Sequence, residues 1–250
     1  MDKFDKLIEI VKKLRSPNGC DWDKEQTHES LVPYLLEETH EVIEAIENKD
    51  YDSLKEELGD LILHVIFQAD LASDKNKFSV QDLLDGINKK LINRHPHIFS
   101  NNSDDSYKKG SWEATKKKEK NRDSVLDGVP KSLPALLLSR RIQEKAAGVG
   151  FDWDNNSQVM GKVDEEVLEL KESMVENKGI DEELGDVLFS LVNLSRHLDI
   201  DPELSLKRST EKFIKRFKAI ENEVDIEKLS LEELDQIWNK NKEKNSLKDK

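Results

Sequence analysis

The sequence predicts an all-α protein built from two tandem helical repeats. Apolar residues recur at helical spacing along most of the chain, and the alternation expected of β-strands is nearly absent. Short motifs also occur twice, in the same order, in the two halves of the 250-residue chain. The pentapeptide EELGD is the clearest of them, because it spans Glu56 to Asp60 and again Glu182 to Asp186.

Four helices are predicted in the first half from the spacing of apolar residues. The first contains Phe4 to Leu14, and the others run from about residue 30 to 48, from 52 to 73 and from 80 to 93. A polar loop, SPNGCDWDKEQT, is expected between the first two helices. The side chains expected to face inward from the last three helices are Leu31, Leu35, Val42, Ile43, Ile46, Leu54, Leu58, Leu61, Ile62, Val65, Ile66, Leu83, Leu84, Ile87 and Leu91.

A polar stretch beginning at Ser100 separates the two halves and is expected to hold one short helix around Trp112. We place the first repeat at residues 1–120, a linker at 121–133 and the second repeat at 134–250. A helix from about residue 134 to 147 opens the second repeat. The motifs DWD, EExxE, EELGD, KxxxR and WxxxK then follow in the order that they have in the first half.

The composition limits the classes of function. The net charge of −13 is shared almost equally by the halves, which argues against a surface that binds nucleic acid. Cys20 is the only cysteine, so neither an intrachain disulfide nor a thiolate metal site is expected. Neither a signal peptide nor an apolar run of about 20 residues occurs, so we expect a cytoplasmic protein that does not bind membranes.

Two acidic pairs in the second half have the spacing of a metal site. Glu166 with Glu169, and Glu183 with Asp186, each lie three residues apart and therefore share a helix face. If the two helices pack antiparallel, the four carboxylates converge, and their repulsion would require cations such as Mg²⁺ or Mn²⁺. A single such pair is more often plain helix surface, but the ordered recurrence of the whole set favours a site. Gly185, between two proposed ligands, fits either a close backbone approach or helix packing.

Cationic and aromatic residues follow the acidic motifs. Lys212 and Arg216 lie four residues apart and could hold phosphate oxygens from one helix face. Trp238 could stack on a base or sugar, and Lys242 lies one turn further along. Each of these residues taken alone is more often an ordinary surface or core residue.

Taken together, these motifs resemble those of the MazG family, two-repeat nucleoside triphosphate pyrophosphohydrolases of the all-α NTP pyrophosphatase superfamily. The segments that carry the resemblance are CDWDKEQT, LLEETHEVIEAI, EELGDLILHV, NRHPHIF, VGFDWDN, EELGDVLFSLVNLSRHL and EKFIKRF. The resemblance implies hydrolysis of a nucleoside triphosphate to a monophosphate and diphosphate, with Mg²⁺ as cofactor. It also implies a homodimer in which the repeats complete four-helix-bundle cores. Broad nucleotide specificity is expected, because phosphate clamping and stacking accept any base.

The resemblance also assigns residues in the second repeat. The implied metal ligands are Glu166, Glu169, Glu183 and Asp186. The implied nucleotide contacts are Lys162, Glu165, Glu166, Glu182, Asp186, Lys212, Arg216, Trp238 and Lys242. Within that set we assign catalytic roles to Lys212, Arg216 and Glu182, the last as the residue that orients the attacking water.

The first repeat keeps an equivalent acidic set and is a candidate second metal site formed by Glu38, Glu41, Glu57 and Asp60. It departs from the second repeat elsewhere. Tyr34 stands where the second repeat has Lys162, and His40 stands where it has Leu168. Family members with two repeats are usually regarded as catalytic in the second, and the loss of the lysine agrees with that assignment.

Two alternatives remain open at this level. One is a di-iron carboxylate bundle, because Glu37 and His40 have the ExxH spacing of that class. The second half lacks the matching histidine, which weighs against it. The other is a helical interaction scaffold without chemistry, which release of diphosphate from any nucleoside triphosphate would exclude.

Overall fold

The computed structural model of this chain describes residues 2–99 and 123–246. Every regular element in these two ranges is a helix, which confirms the predicted all-α fold. The chain divides into two compact units, Met1–Asp105 and Ser106–Lys250. The helix expected around Trp112 lies outside the described residues, and the exact bounds of the repeats and linker stay a prediction.

Six helices form the described part of the first unit, and the three long predicted ones are found within two residues of their expected bounds. One prediction is wrong, because the segment expected to be a polar loop contains a short helix. Acidic residues at its first turn, Asp21 and Asp23, favour the helix N-terminus, and Lys24 pairs with Asp21 at 2.7 Å. The helices are α1 (Lys3–Leu14), α2 (Asp21–Glu25), α3 (Val32–Asn48), α4 (Tyr51–Asp74), α5 (Val80–Arg94) and α6 (Pro96–Phe99).

The core of the first unit lies between α1, the start of α3, the second half of α4 and the start of α5. Its buried members are Ile8, Val11, Leu31, Ile66, Phe67, Ala69, Leu71 and Val80. Arg15 closes one end of this core, where it pairs with Asp70 and, at 2.6 Å, with Asp74. A left-handed Lys49 (φ 57°) ends α3, so that α4 returns against it and the first ExxE faces the first EELGD.

The second unit contains five α-helices in its described part. They are α7 (Ala135–Ala147), α8 (Asn156–Glu176), α9 (Ile180–His197), α10 (Pro202–Glu223) and α11 (Leu231–Ser246), with a 3₁₀ turn at Ile226–Lys228. The turn between α8 and α9 is tight, because Asn177 and Gly179 both adopt left-handed backbone angles. This reversal packs α8 and α9 against each other, which brings the second ExxE to the second EELGD.

Helix α7 and the chain on either side of it are tied to the rest of the second unit by polar contacts. Gln143 donates to the Phe189 carbonyl in α9 at 2.9 Å, and Arg140 donates to the Ile200 carbonyl at 2.9 Å. The buried Lys145 donates to the Val125 carbonyl at 3.0 Å, so the segment before α7 also packs on this unit.

Many residues expected in the core are exposed instead. Leu58, Ile62 and Val65 in α4 are each 44–45% exposed, and the residues one repeat later, Leu184, Leu188 and Leu191, are 44–48% exposed. The apolar stripe on each helix is wider than the surface that neighbouring helices of the same unit cover. The other predicted core residues that are exposed are Leu35, Ile46, Leu84, Ile87 and Leu91. We call the two matching sets on α4 and α9 the exposed stripes.

Among the described residues, no helix combines the length and the apolar composition needed to span a membrane.

Candidate functional site

Three acidic side chains of the second unit converge where α8 faces α9. Carboxylate oxygens of Glu166, Glu183 and Asp186 lie within 4.8 Å of one another. Glu166 comes from the middle of α8 and is 7% exposed, whereas Asp186, in the second turn of α9, is exposed. The hairpin therefore gathers carboxylates from two motifs that are 17 to 20 residues apart in sequence.

Lys162 supplies a positive charge beside this cluster. Its Nζ lies 2.7 Å from Oε1 of Glu166 and 3.0 Å from Oε1 of Glu165. Hydrogen bonds to Glu166 and, as the smaller effect, to Glu165 raise the pKa of Lys162 above its usual value. The ammonium is therefore held in its charged form. The spacing of one helical turn between Lys162 and Glu166 makes this ion pair possible within α8.

Glu169 lies one turn beyond Glu166 on α8 and is exposed. Its carboxylate is outside the group of three whose oxygens lie within 4.8 Å of one another, but the charge of that group affects its pKa. Loss of surrounding water and then repulsion from Glu166 raise the pKa of Glu169. Glu165 and Glu182 are exposed neighbours of the cluster in sequence.

The residues expected to hold phosphate oxygens and to contact the nucleotide lie on other helices. Lys212 and Arg216 are in α10, and Trp238 and Lys242 are in α11, which packs against it. The Arg216 guanidinium lies 5.9 Å from the Trp238 ring centroid, and Phe213 packs on the same ring at 5.1 Å. Within the described ranges, no ion pair joins Lys212 or Arg216 to the acidic cluster.

The first unit has a comparable cluster with different chemistry. Carboxylate oxygens of Glu38, Glu41 and Glu57 lie within 4.8 Å of one another. In residues 2–99, no ion pair involves these three side chains. Loss of surrounding water and then the charge of Asp60 raise the pKa of Glu38, and burial followed by repulsion from Glu41 raises the pKa of Glu57.

Tyr34 and His40 are two residues that distinguish the first repeat from the second. Tyr34 packs edge-on against Trp22 with ring centroids 5.7 Å apart, so it fills the place of the lysine without a charge. His40 is exposed and belongs to neither group of three carboxylates. A histidine that the sequence reading missed, His64, lies one turn after Asp60, and burial lowers its pKa although the Asp60 carboxylate opposes that shift. Its position four residues after Asp60 was the available signal.

The sequence reading also missed a cavity of about 550 Å³ beside the second cluster. Lys162, Glu166 and Asp186 form part of its wall. The DWD motif supplies another part, where the Asp152 carboxylate accepts from both Arg196 and His197. These donors, with the hydrogen bond to Arg196 as the largest cause, lower the pKa of Asp152 to about 2. The repeated DWD motif was visible in the sequence, but its partners in α9 were not.

The donor set of the second cluster fits a hard divalent cation. All three converging ligands are carboxylates, the oxygen donors that Mg²⁺ and Mn²⁺ prefer. Their mutual repulsion is only partly offset by Lys162, which leaves negative charge for a bound cation to neutralise. The N-terminal cluster has the same donor type, and among the residues described no lysine forms an ion pair with it.

Comparison with known proteins identifies the family. Residues 26–99 and 155–220 match the MazG nucleotide pyrophosphohydrolase domain. The chain is 47% identical over 246 residues to the nucleoside triphosphate pyrophosphohydrolase/pyrophosphatase MazG of Thermotoga maritima, with 96% of this chain and 95% of that protein covered. It is 40% identical over 253 residues to the nucleoside triphosphate pyrophosphohydrolase of Escherichia coli K12, with 95% and 96% covered.

The protein YabN of Bacillus subtilis is 42% identical over 253 residues, which cover 96% of this chain and 52% of YabN. The two domain matches fall on the two helical units and include both acidic clusters, which confirms the resemblance seen in the motifs. The di-iron and scaffold alternatives therefore lose their support. The chain belongs to the MazG family of nucleotide pyrophosphohydrolases, which are hydrolases that act on phosphoric anhydrides.

Proposed function

We propose that this pyrophosphohydrolase cleaves nucleoside triphosphates between the α- and β-phosphates with Mg²⁺ as its cofactor, and that the second unit holds the active site. The products are a nucleoside monophosphate and diphosphate. The observation that supports the proposal most is the convergence of Glu166, Glu183 and Asp186 beside the charged Lys162. Mn²⁺ is expected to replace Mg²⁺, because it accepts the same oxygen ligands.

Glu166, Glu169, Glu183 and Asp186 are the proposed ligands. Mg²⁺ bound by them would offset the charge of the phosphates and lower the pKa of a coordinated water. Lys162, whose Nζ lies 2.7 Å from Oε1 of Glu166, is proposed to neutralise a phosphate oxygen beside the metal ligands. Glu165, next to Lys162, is proposed to contact the nucleotide as well.

The remaining roles belong to residues around the cluster. Glu182 is proposed to orient the attacking water and to take its proton. When the water oxygen bonds to the α- or β-phosphorus, the bond between that phosphorus and the bridging oxygen breaks. The bridging oxygen keeps the electron pair and leaves with the other product. Lys212 and Arg216 are proposed to hold phosphate oxygens as the negative charge shifts, and Trp238 and Lys242 to contact the nucleotide.

Product analysis in ¹⁸O-labelled water tests the reaction. Incubation with ATP, GTP, CTP or UTP and Mg²⁺ should yield the monophosphate and diphosphate, with the label in one product. Chelation of the metal should stop the reaction, and added Mn²⁺ should restore it. Primary release of a nucleoside diphosphate and orthophosphate would refute the proposed bond cleavage.

A homodimer is proposed from the exposed stripes. Each of the two EELGD helices has three large apolar side chains that are nearly half exposed, at equivalent positions in the two repeats. A second copy of the chain would cover them. Helices from two copies would then complete four-helix-bundle cores around the carboxylates.

The candidate second metal site of the first unit, Glu38, Glu41, Glu57 and Asp60, is proposed to be regulatory or structural, because it lacks a cation equivalent to Lys162. We further propose a cytoplasmic protein whose partners are nucleoside triphosphates, with neither nucleic acid nor membranes among them. Broad specificity would suit either removal of aberrant nucleotides or control of nucleotide and alarmone levels.

A further inference from the structure

The segment that contains the second DWD motif, residues 150–154, forms one wall of the cavity in the second unit. Its first four residues, Gly150, Phe151, Asp152 and Trp153, all line the cavity. The segment belongs to no helix, so helical hydrogen bonds do not fix it along its length. The shape of this wall therefore depends on what holds the segment in place. We call residues 150–154 the DWD segment.

Apolar packing holds the DWD segment only weakly. Phe151 is 83% exposed and Trp153 is 46% exposed. Side chains that remain so exposed lose little contact with water, and their burial therefore contributes little to the position of the segment. The position of the segment relative to α9 therefore depends mainly on polar contacts.

Asp152 ties the DWD segment to α9. Arg196 donates to both carboxylate oxygens of Asp152, with Nη1 2.9 Å from Oδ2, and Nε2 of His197 lies 2.9 Å from Oδ1. Two parallel bonds between a guanidinium and a carboxylate fix direction as well as distance. The side chains of Arg196 and His197 are 13% and 11% exposed, so water weakens these contacts less than it weakens a surface ion pair. We call Asp152, Arg196 and His197 the DWD clamp.

The guanidinium of Arg196 is already engaged by the protein. Besides Asp152, it contacts Oδ1 of Asn193, with Nε at 3.1 Å and Nη2 at 2.7 Å. Each of its three nitrogens thus has an acceptor on the protein. Arg196 also lies ten residues after Asp186 on α9, roughly 15 Å along the helix axis. It is therefore suited to hold the wall of the cavity, and it is remote from phosphates bound at the carboxylates.

The described part of the first unit has a different arrangement. The register of the EELGD motifs places Asp70 of α4 where α9 has the arginine of the clamp, and Asp70 pairs with Arg15, which follows α1. Asp21, the first residue of the other DWD motif, pairs with Lys24 within α2 at 2.7 Å. Over residues 2–99, no ion pair ties Asp21 to α4. The clamp thus distinguishes the second unit, in which we place the active site.

We propose that the DWD clamp positions the cavity wall so that substrate binds tightly, and that the clamp takes no part in the chemical step. Its members are positioning residues, since they act through the segment that they hold. The inference rests on the proposed function, because it takes the cavity beside Glu166 and Asp186 as the place where substrate binds. Opening of the clamp should let the segment move away from α9, which weakens substrate binding and leaves the proposed metal ligands in place.

Steady-state kinetics with the best nucleoside triphosphate and saturating Mg²⁺ tests the inference. Arg196→Met should raise KM by about tenfold and leave kcat within about twofold of wild type, because binding is lost equally in the ground state and the transition state. Arg140→Met is the control. Arg140 also forms an ion pair in this unit, with Glu144 at 3.0 Å, but it does not line the cavity. Its removal should leave KM within about twofold of wild type.

A double-mutant cycle separates the clamp from direct contacts with substrate. Asp152→Ala should raise KM about as much as Arg196→Met, and the double variant should be no worse than either, because each change opens the same clamp. His197→Leu removes one hydrogen bond and should raise KM by about threefold. His197→Gln should restore the wild-type KM, since its amide can donate to Asp152 in the same way.

Hydrogen exchange reports the position of the segment without any need for activity. Amides of residues 149–154 should exchange faster in Arg196→Met than in wild type, whereas those in the middle of α8 should not. If Arg196→Met does not fold, His197→Leu and His197→Gln provide the same comparison.

Four results would overturn the inference: an unchanged KM in a folded clamp variant, a fall in kcat at constant KM, additive effects in the double variant, or unchanged exchange of the segment. Failure of the wild-type protein to release diphosphate from any nucleotide would overturn the proposed function instead. The exchange measurement would then still decide whether the clamp holds the segment.

Discussion

Lys162 is the residue that most clearly separates the two acidic clusters. Its ammonium contacts Glu166 at 2.7 Å, whereas Tyr34 at the equivalent place packs on Trp22. The difference was visible in the sequence as a lysine against a tyrosine. The contact itself was not, because a spacing of four residues on a helix allows an ion pair without requiring one.

Removal of this charge should impair catalysis. Lys162→Met is expected to lower kcat/KM for nucleoside triphosphates by roughly ten- to a hundredfold, the value of one charge-assisted phosphate contact. Tyr34→Met is the matched control and should leave kcat/KM within about twofold of wild type, a change of less than 0.5 kcal/mol. Steady-state kinetics on the two folded variants check this prediction. A similar loss of kcat/KM in both variants would show that positions 34 and 162 do not differ in function.

Asp152 should stabilise the second unit in a pH-dependent way. Its carboxylate binds Arg196 and His197, and its pKa is lowered to about 2, below the usual value of 3.8. A lowered folded-state pKa contributes stability above the unfolded-state pKa, and that contribution is lost as pH falls towards about 2. Asp152→Asn should therefore lower the free energy of unfolding by about 1–2 kcal/mol at pH 7, with allowance for partial exposure.

Urea unfolding of wild type and Asp152→Asn at a series of pH values measures this contribution. The gap between the two proteins should be constant near neutrality and should narrow from about pH 4 downwards. A gap that stays the same down to pH 2 would mean that the carboxylate charge does not stabilise the fold.

At the level of elements, each EELGD helix has a glycine in its interior, Gly59 in α4 and Gly185 in α9. A Cβ built at Gly59 or at Gly185 meets nothing within 4 Å. Packing within one unit therefore does not require either glycine, although glycine costs about 1 kcal/mol in a helix interior relative to alanine. A close approach of bound nucleotide or of a second copy would explain Gly185.

Gly185→Ala and Gly59→Ala form a matched pair that tests this explanation. Both substitutions should raise the free energy of unfolding by up to about 1 kcal/mol, because the helix gains propensity without a clash. Only Gly185→Ala should also lower kcat/KM, since Gly185 lies between two proposed ligands. Chemical denaturation and kinetics on the same samples give both results. A destabilised Gly185→Ala would show that the glycine serves the helix itself.

The periodicity of apolar residues was sufficient to predict the long helices, because each turn repeats the same signal. It failed at α2, whose five residues are too few to show a period. It also assigned Leu58, Ile62 and Val65 to a core that does not cover them within the unit. An apolar stripe shows that a helix face needs a partner, but it does not show whether that partner is in the same chain.

For the site, the repeated motifs pointed to four acids in each half, and the structure groups three of each four: Glu169 lies outside the second group and Asp60 outside the first. The cavity could not be predicted in the same way. Its wall joins Gln143, Asp152 and Phe189, which come from three segments with no shared motif. The packing of α7 on α9 brings Gln143 to Phe189, and the contacts with Arg196 and His197 bring Asp152 to the same wall.

At the scale of the whole molecule, the exposed stripes predict a homodimer. Light scattering should give a mass twice that of one 28.9 kDa chain at micromolar concentration. Leu188→Glu places a charge in the middle of one stripe and should shift the mass towards that of a single chain. Lys171→Glu, on α8 and exposed, is the control and should remain dimeric. A wild-type mass of one chain at all concentrations would contradict the proposal.

Assignment of catalysis to the second unit is the central claim, and paired substitutions in the two clusters test it most directly. The measurement is diphosphate release from the best nucleoside triphosphate under saturating Mg²⁺, with each variant first shown to be folded and to have the wild-type mass. Glu166→Ala and Asp186→Ala should each abolish most of the release, because they remove carboxylates from the cluster that Lys162 completes. Glu38→Ala and Asp60→Ala should each retain most of it. Equal losses from substitutions in either unit would mean that both clusters are catalytic or coupled, and would contradict the assignment.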